Sequence, residues 1–331
     1  MPHVLCGMRS ITPKLKAMEK TTTNTITTFF TEKQVCFDSI RERSYSQSPL
    51  KPYLLMLRLN DLGLSDYFDI RADFKPFEKS DFEIAHTRSY IDNVFNKTGN
   101  YDSNGLPWSE NLVESLTYTN SALYHAMRHA YLNPTDLCFA PVSGMHHAMP
   151  NSGCGFCTFS GQVIASVKLY EEFGAVGAWL DLDGHFGNSI EDTRSFNPLV
   201  DKAIPRDCNI NPSGKNDHYV SYFKEQLAIV GEKIKKNKVH YVVFAHGADS
   251  HLDDDLGGNC DTEHWIECAQ VFSDWVNETS LAIGRPLPVT MALFGGYRKS
   301  NYKAVLDLHI DSLATCLLNI DRDMGEVKCA G

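Results

Sequence analysis

What this chain of 331 residues lacks excludes several classes of protein. No apolar run approaches the roughly 18 residues that a bilayer-spanning helix needs. The amino-terminal segment, MPHVLCGMRSITPKLKAMEKTTTNTITT, has no apolar stretch of the kind found in secretory signals. Positive charge is not in excess either, because 31 Lys and Arg stand against 41 Asp and Glu, for a net charge of −10. We therefore predict a cytoplasmic protein whose main partners are neither membranes nor nucleic acids.

A framework of paired cysteines is also missing. The ten cysteines are scattered, and only Cys154 and Cys157, in the sequence CGFC, lie close together. Zinc and redox motifs usually need a second pair or a thioredoxin-like surrounding, and neither is visible here. We interpret the cysteines as reduced thiols of a reducing compartment, with a labile disulfide between Cys154 and Cys157 as the alternative.

Neither an internal repeat nor a low-complexity linker divides the chain. We predict a flexible tail over residues 1–27, one catalytic domain over residues 28–325 and a short tail over residues 326–331. The first half of the domain reads as helical. One predicted helix is entered through Pro52, and another precedes the Asn133-Pro134 pair.

The second half of the domain has a different sequence pattern, in which short apolar runs alternate with amphipathic segments. Its four continuous apolar runs are DLCFAPV (136–142), AVGAWLDLD (175–183), VHYVVFAHG (239–247) and LPVTMALFGG (287–296). Amphipathic helices are predicted between and after them, at about 161–173, 217–236, 263–283 and 302–318. Apolar strands that alternate with helices indicate an α/β fold, in which helices cover both faces of a mainly parallel sheet. In such sheets ligands bind at the carboxyl ends of the strands.

Each of the four runs ends in polar or titratable residues beside glycine. These residues are, in chain order, His146 and His147; Asp181, Asp183 and His185; Asp249; and Tyr297. Oxygen and nitrogen donors from Asp183, His185 and Asp249 would make a metal site with three protein ligands, which is typical of catalytic sites. Each motif alone is compatible with an ordinary capped loop or a packed aromatic ring. Their recurrence at successive strand ends, on one edge of a sheet, indicates a functional site.

Four motifs in this order carry a resemblance to a known family: GMHHAMPNSGCGFC, DLDGHFGNS, GADSHLDDDLG and FGGY. The chain resembles the histone deacetylase family, which includes bacterial acetylpolyamine amidohydrolases and acetoin-utilisation proteins. The segment AHTRSYIDNVF is similar to an early helix of that family, and the resemblance extends over about residues 28 to 325. It implies the arginase/deacetylase fold, a single α/β domain with a central, mainly parallel sheet.

The resemblance also implies a cofactor and a set of catalytic residues. One zinc ion would be bound by Asp183, His185 and Asp249, and a potassium ion would lie near the segment from Asp181 to His185. Other roles follow the family pattern: His146 and His147 beside the reacting water, with His147 as general base and then acid; Asp181 supporting His146; Asn188 supporting His147; and Tyr297 donating to the substrate carbonyl. Residues expected to contact substrate are Gly155 and Phe156 in the tunnel wall, and Leu256 and Asp102 at the rim.

The activity implied is removal of acetyl or related acyl groups from lysine side chains. An acetylpolyamine or another small amide is the alternative substrate. Leu256 stands where polyamine-selective relatives carry a glutamate, which favours acyl-lysine, whereas Asp253, Asp254 and Asp255 predict an acidic rim that attracts either cation. An inactive acyl-lysine-binding module is a further alternative, against which the complete set of site residues argues. A two-metal ureohydrolase is disfavoured, because Gly187 occupies the position of its extra aspartate.

Two departures from the family pattern are visible. Phe186 follows His185 where many relatives have a second histidine, which is not a metal ligand in the family. The segment over 189–216 is read as too short for the strand and the loop that relatives carry there, and the loop supplies the second aromatic wall. Phe196 is the candidate substitute for that wall, and the tunnel is expected to be wider or open on one side.

Overall fold

A computed structural model describes residues 25–40 and 46–322 of the chain. The predicted carboxyl-terminal tail, 326–331, and most of the predicted amino-terminal tail lie outside the described residues. The first strand begins at Ile26, so it starts before the predicted domain boundary at residue 28. Its side chains are buried, and the sheet therefore includes the end of the segment predicted as a tail.

Seven strands form one sheet in which every pair of neighbours is parallel. The strands are β1 (Ile26–Phe29), β2 (Phe68–Arg71), β3 (Leu137–Ala140), β4 (Gly177–Asp181), β5 (Asn209–Ile210), β6 (Tyr241–Ala245) and β7 (Val289–Ala292). Their order across the sheet is β2-β1-β3-β7-β6-β4-β5. All residues of the four central strands are buried. Because successive side chains point to opposite faces, helices must cover both faces of the sheet.

The helices of the described residues lie largely where the sequence predicts them. They are α1 (Lys51–Asp61), α2 (Arg88–Asn96), α3 (Glu110–Leu132), α4 (Gly161–Phe173), α5 (Ser189–Thr193), α6 (Leu199–Ala203), α7 (Asn216–Lys235), α8 (Thr262–Ile283) and α9 (Tyr302–Asn319). The four helices predicted in the second half begin and end within one residue of their predicted bounds. Within the described ranges, no helix combines the length and the apolar character needed to cross a bilayer.

Local chemistry explains where several helices start and stop. The Ser109 side chain accepts from the backbone N–H of Leu112 at 3.0 Å and caps the start of α3. Asp261 does the same for α8, through the N–H of His264. Gly174, with φ of +66°, ends α4 in the left-handed conformation that glycine adopts at little cost.

The four strands predicted from the apolar runs are confirmed, whereas three others were missed. The interpretation of 189–216 as too short to hold a strand is wrong, since this segment contains α5, α6 and β5. Trp179 and Leu180 of β4 pair with Asn209 and Ile210 of β5. A strand of two residues has no alternation of apolar and polar side chains, so its sequence carries no signal.

The strand order determines where the site can form. The strands whose ends carry the candidate residues, β3, β7, β6 and β4, are neighbours in the middle of the sheet. Since they are parallel, their carboxyl ends lie side by side on one edge, where each strand passes into a loop.

Candidate active site

The three predicted metal ligands lie together at the carboxyl edge of β4 and β6. Asp183 and His185 follow β4, and Asp249 lies in a short 3-10 turn after β6. One donor atom from each residue lies within 4.8 Å of the others. The His185 Nδ1 atom is 2.9 Å from Asp249 Oδ2 and 3.1 Å from Asp183 Oδ1. The geometry that a three-ligand site requires is therefore present.

Backbone donors fix the two carboxylates of this cluster. Asp183 and Asp249 are 4% and 0% exposed, so their oxygens depend on protein donors. The N–H of Gly295 donates to Asp183 Oδ2 at 2.8 Å, and the N–H of Gly184 donates to Asp249 Oδ1 at 3.0 Å. Both carboxylates are thus held in place by loops from neighbouring strands.

The charges of the cluster favour a cation. Hydrogen bonds to Asp183 and Asp249 raise the pKa of His185 to about 11. Burial and the charge of Asp183 raise the pKa of Asp249 to about 7. A proton on His185 therefore offsets part of the negative charge of the two carboxylates, and a divalent metal ion can take the place of that proton. Two carboxylates and one imidazole are a donor set that zinc accepts.

The second nitrogen of His185 is also engaged. Its Nε2 atom is 3.0 Å from the carbonyl oxygen of Leu256. Because a carbonyl only accepts, Nε2 carries the proton and Nδ1 faces the two carboxylates. A support of this kind fixes the orientation of a ligating imidazole.

His146 faces a buried carboxylate. Its Nδ1 atom is 3.0 Å from Asp181 Oδ2, and Asp181 is fully buried as the last residue of β4. Burial lowers the pKa of His146, but the charges of Asp183 and Asp181 outweigh burial and raise the pKa to about 9. A cation bound by Asp183 would oppose this rise. His146 is accordingly an imidazole that holds its proton readily.

His147 faces a neutral amide instead. Its Nδ1 atom donates to Asn188 Oδ1 at 2.8 Å, because an amide oxygen only accepts. The Nε2 atom is then without a proton. Burial, followed by the charge of His146, lowers the pKa of His147 to about 4. The two rings lie 4.0 Å apart, so one adjacent pair offers a site that holds a proton and a site that accepts one.

Tyr297 lies on the loop after β7 and is 8% exposed. Its ring packs on that of Phe156 at 5.6 Å, and its backbone N–H donates to Asp254 Oδ2 at 2.7 Å. Burial, together with the charges of Asp183 and Asp249, raises the pKa of Tyr297 well above its usual value. The hydroxyl therefore keeps its proton and is able to donate a hydrogen bond.

The three carboxylates from Asp253 to Asp255 also form hydrogen bonds and an ion pair within the protein. Asp254 Oδ1 accepts from the N–H of Leu256 at 3.0 Å while its other oxygen accepts from Tyr297, so one carboxylate joins the two loops. Asp253 pairs with Arg298 at 2.9 Å, and Asp255 accepts from the N–H of Lys299 at 2.8 Å. Nothing in the sequence distinguishes these bonded carboxylates from solvated ones.

Lys51 is a second residue that sequence reasoning missed. It begins α1, is fully buried, and donates from Nζ to the carbonyl oxygen of Phe294. Burial lowers the pKa of Lys51 to about 8, although the charges of Asp249 and Asp183 act in the opposite direction. Phe294 has a φ of +56° and presents its ring to His146 at 5.2 Å. Lys51 thus supports a strained backbone position below the site.

Gly155 and Phe156, the predicted tunnel residues, form a tight turn next to His147. Their φ angles are +52° and +63°, and a Cβ atom on Gly155 would lie 2.7 Å from His147 Cδ2. The flanking Cys154 and Cys157 exchange backbone hydrogen bonds of 3.0 and 2.8 Å. Cys154 and Cys157 form no disulfide with each other, so the structure shows them as reduced thiols.

The predicted rim residues lie at the surface. Leu256 is 39% exposed, and Asp102 is exposed in the turn that leads to Asn104, whose carbonyl accepts from the N–H of Phe156 at 2.8 Å. Their contacts with substrate stay predictions. Phe196, the candidate second wall, is exposed after α5, and its part in the tunnel stays a prediction.

Gly187 has no room for a side chain. A Cβ atom there would lie 2.3 Å from Asp181 Oδ2 and 3.1 Å from His146 Nδ1. The aspartate that a second metal would need at this position would displace the pair of Asp181 and His146. The geometry therefore favours one metal over two.

Comparison with known proteins finds a family to which part of this chain is similar. A family model described as "Histone deacetylase domain" matches residues 47–200, just under half of the chain. Histone deacetylase 8 of Xenopus tropicalis is 28% identical over 139 residues, which cover 38% of this chain and 37% of that protein. Histone deacetylase 8 of Danio rerio is 25% identical over 170 residues, which cover 47% and 44%. The chain thus spans less than half the length of these curated relatives.

Two solved structures share the fold over most of the chain. The HDA15 HD domain has a TM-score of 0.67 at 15% identity, covering 89% of this chain and 90% of that chain. The acetylpolyamine aminohydrolase of Burkholderia pseudomallei has a TM-score of 0.60 at 15% identity, covering 88% and 98%. The chain is similar to histone deacetylases over residues 47–200, and it has the arginase/deacetylase fold.

Proposed function

We propose that this protein is a zinc-dependent amidohydrolase that removes acetyl or related acyl groups from lysine side chains. This proposal rests on one observation. The cluster of Asp183, His185 and Asp249 lies beside two imidazoles that have different partners and beside a tyrosine that keeps its proton. When bound by that cluster, zinc would supply Lewis-acid chemistry, lowering the pKa of a water molecule and polarising the amide carbonyl.

The side chains around the cluster would transfer the proton, stabilise the developing charge and exclude water. His147, neutral and with Nε2 free, takes a proton from the attacking water and returns it to the leaving amine. His146, paired with Asp181, adds positive charge beside the developing oxyanion. The Tyr297 hydroxyl donates to that oxyanion, an interaction whose loss typically costs roughly 3–4 kcal/mol in the transition state. Phe156 and Tyr297 pack together beside the reacting centre and would exclude water from the acyl chain.

Acyl-lysine is the preferred substrate in this proposal because Leu256 leaves no carboxylate at the position beside His185. Asp253, Asp254 and Asp255 are bonded to neighbouring groups, which weakens the attraction of a polyamine to this rim. We further propose a single catalytic domain, a potassium ion near Asp181 to His185, and a cytoplasmic location, where free thiols persist.

The proposal is tested by combining metal analysis with a substrate panel. Protein purified without chelator is expected to carry about one zinc per chain, the stoichiometry of a three-ligand catalytic site. Acetyl-lysine and longer acyl-lysine peptides are assayed beside acetylated polyamines, with and without a hydroxamate inhibitor. Turnover of the peptides supports the proposal, and turnover of polyamines alone replaces its substrate. Full zinc without hydrolysis of any member favours an acyl-lysine-binding module.

Tyr297→Phe separates catalysis from folding in this test. It keeps the ring that packs on Phe156 and removes only the donor. We expect kcat to fall more than about tenfold while zinc content stays the same. Unchanged turnover in this variant would remove the tyrosine from the reaction.

A further inference from the structure

Asn188 is held from both sides by charged or titratable neighbours. Its amide oxygen accepts from His147 Nδ1 at 2.8 Å, and its amide nitrogen donates to Asp192 Oδ2 at 2.6 Å. The same nitrogen lies 3.5 Å from the carbonyl oxygen of His147. His147, Asn188 and Asp192 therefore form one hydrogen-bonded chain that runs from the centre of the site to the surface.

The chemistry of the amide makes this chain directional. A primary amide has one end that accepts and one end that donates, and the two ends exchange when the side chain flips. A carboxylate without a proton only accepts, so Asp192 requires the amide nitrogen to face it. The amide oxygen must then face His147, and that oxygen in turn requires a proton on Nδ1.

Asp192 is well placed for this role. It lies in α5, four residues after Asn188, and its backbone N–H donates to the carbonyl of Asn188 at 2.9 Å. Its acidic neighbour is engaged elsewhere, since Glu191 pairs with Arg194 at 2.7 Å. The other acceptor near the amide nitrogen, the His147 carbonyl, is at a distance where hydrogen bonds are weak.

We propose that Asp192 is a positioning residue that sets the amide orientation of Asn188 and thereby keeps the Nε2 atom of His147 free to accept a proton. The inference rests on the proposed role of His147 as the base. It adds a residue outside the motifs by which the site was recognised. A carboxylate at position 188 would need no such residue, because both of its oxygens accept.

That last point supplies a test by double substitution. In the otherwise unchanged zinc-loaded protein, we expect Asp192→Ala to lower kcat roughly threefold to tenfold with little change in KM, as for loss of one charge-assisted hydrogen bond. Asp192→Asn can present either end of its amide to Asn188, so it is expected to lower kcat less than Asp192→Ala does without restoring full activity. In the Asn188→Asp background, Asp192→Ala is expected to leave kcat unchanged or to raise it, because it also removes the repulsion between two adjacent carboxylates.

Imidazole nitrogen chemical shifts provide a readout that does not depend on turnover. In the unsubstituted protein, the ¹⁵N signals of His147 are expected to show a protonated Nδ1 and an unprotonated Nε2. Asp192→Ala and Asp192→Asn are each expected to add a population with the opposite tautomer, because alanine is absent from the contact and asparagine can donate as well as accept.

Two results would overturn the inference. The first is an equal loss of kcat on Asp192→Ala in both backgrounds, and the second is an unaltered tautomer in Asp192→Ala. If the unsubstituted protein hydrolysed no substrate, the proposed function would fail, yet the ¹⁵N measurement would still decide whether Asp192 orients the amide.

Discussion

The two imidazoles of the tandem pair are adjacent in sequence, yet they lie in opposite surroundings. His146 points into the sheet edge, where its partner Asp181 is the fully buried last residue of β4. His147 points outward to Asn188, which precedes α5 and reaches a surface carboxylate. One imidazole therefore has a pKa raised to about 9, and the other has a pKa lowered to about 4.

This difference shows how one dipeptide can supply two functions. A buried charge needs a partner that cannot move, and the end of a central strand provides one. A general base needs one nitrogen free and no proton at the working pH, which a neutral amide partner provides. The contrast therefore comes from the surroundings of each ring: the charges of Asp183 and Asp181 raise the pKa of His146, whereas burial and the charge of His146 lower the pKa of His147.

The largest loss of activity is expected when one of the two histidines is replaced. His147→Ala is expected to lower kcat by about 10²–10⁴-fold, the usual contribution of a positioned base, with zinc content and stability nearly unchanged. His146→Ala leaves Asp181 buried without its partner, so we expect it also to lower the free energy of unfolding by roughly 3–5 kcal/mol.

Steady-state kinetics, metal analysis and denaturant unfolding of the two variants would measure the difference. Equal losses of stability in both variants would contradict the contrast between the two sides of the site.

A smaller effect is expected where the backbone touches His147. Gly155→Ala places a Cβ atom 2.7 Å from His147 Cδ2, so the ring must shift, and we expect kcat/KM to fall about tenfold or more. Gly174→Ala is the matched control, since Gly174 also has a positive φ but nothing within 4 Å of its would-be Cβ atom.

Both variants should lose about 1 kcal/mol or more of stability from backbone strain, and only the first should lose activity. Thermal unfolding would measure the loss of stability, and initial rates would measure the loss of activity. Full activity in Gly155→Ala would show that the turn does not limit the position of the base.

The smallest expected effect tests the neutral partner. Asn188→Asp adds a negative charge next to His147 and should raise its pKa by about one unit or more. Because the base acts only without its proton, the acidic limb of the kcat/KM profile should move to higher pH. Activity would then be lost at a pH about one unit or more higher than in the unsubstituted protein, and it would change little above neutrality.

The profile from pH 5 to 9 would reveal this shift. Asn237→Asp, in the turn before β6 at the opposite edge of the sheet, adds the same charge far from the site and serves as control. An unmoved acidic limb in Asn188→Asp would contradict the assignment of His147 as the base.

Much of this arrangement could be predicted from the sequence. The central strands are long apolar runs, and their order along the chain places Asp183, Asp249 and Tyr297 after strands that a parallel sheet brings together. The supports of the site could not be predicted in the same way. These supports are ordinary residues of helices and loops, namely Lys51, Asp192 and Asp254. Lys51 and Asp254 bond to groups far along the chain, and Asp192 bonds to one orientation of an amide, so the sequence alone does not show their roles. Strand β5 was missed for a different reason, because two residues cannot show a period.

The contact between Lys51 and Phe294 has a consequence for how the site is assembled. The two residues are 243 positions apart, so the bond closes one of the longest loops in the chain. Contacts of such long range form only after much of the chain has collapsed. Lys51 supports the loop that presents Tyr297, and a backbone N–H of the same loop donates to Asp183. We expect a fragment that begins after α1 to keep the four motifs but to lack a competent site. We therefore expect the candidate site to require the chain from α1 onward, so that its signature sequences alone would not reproduce it.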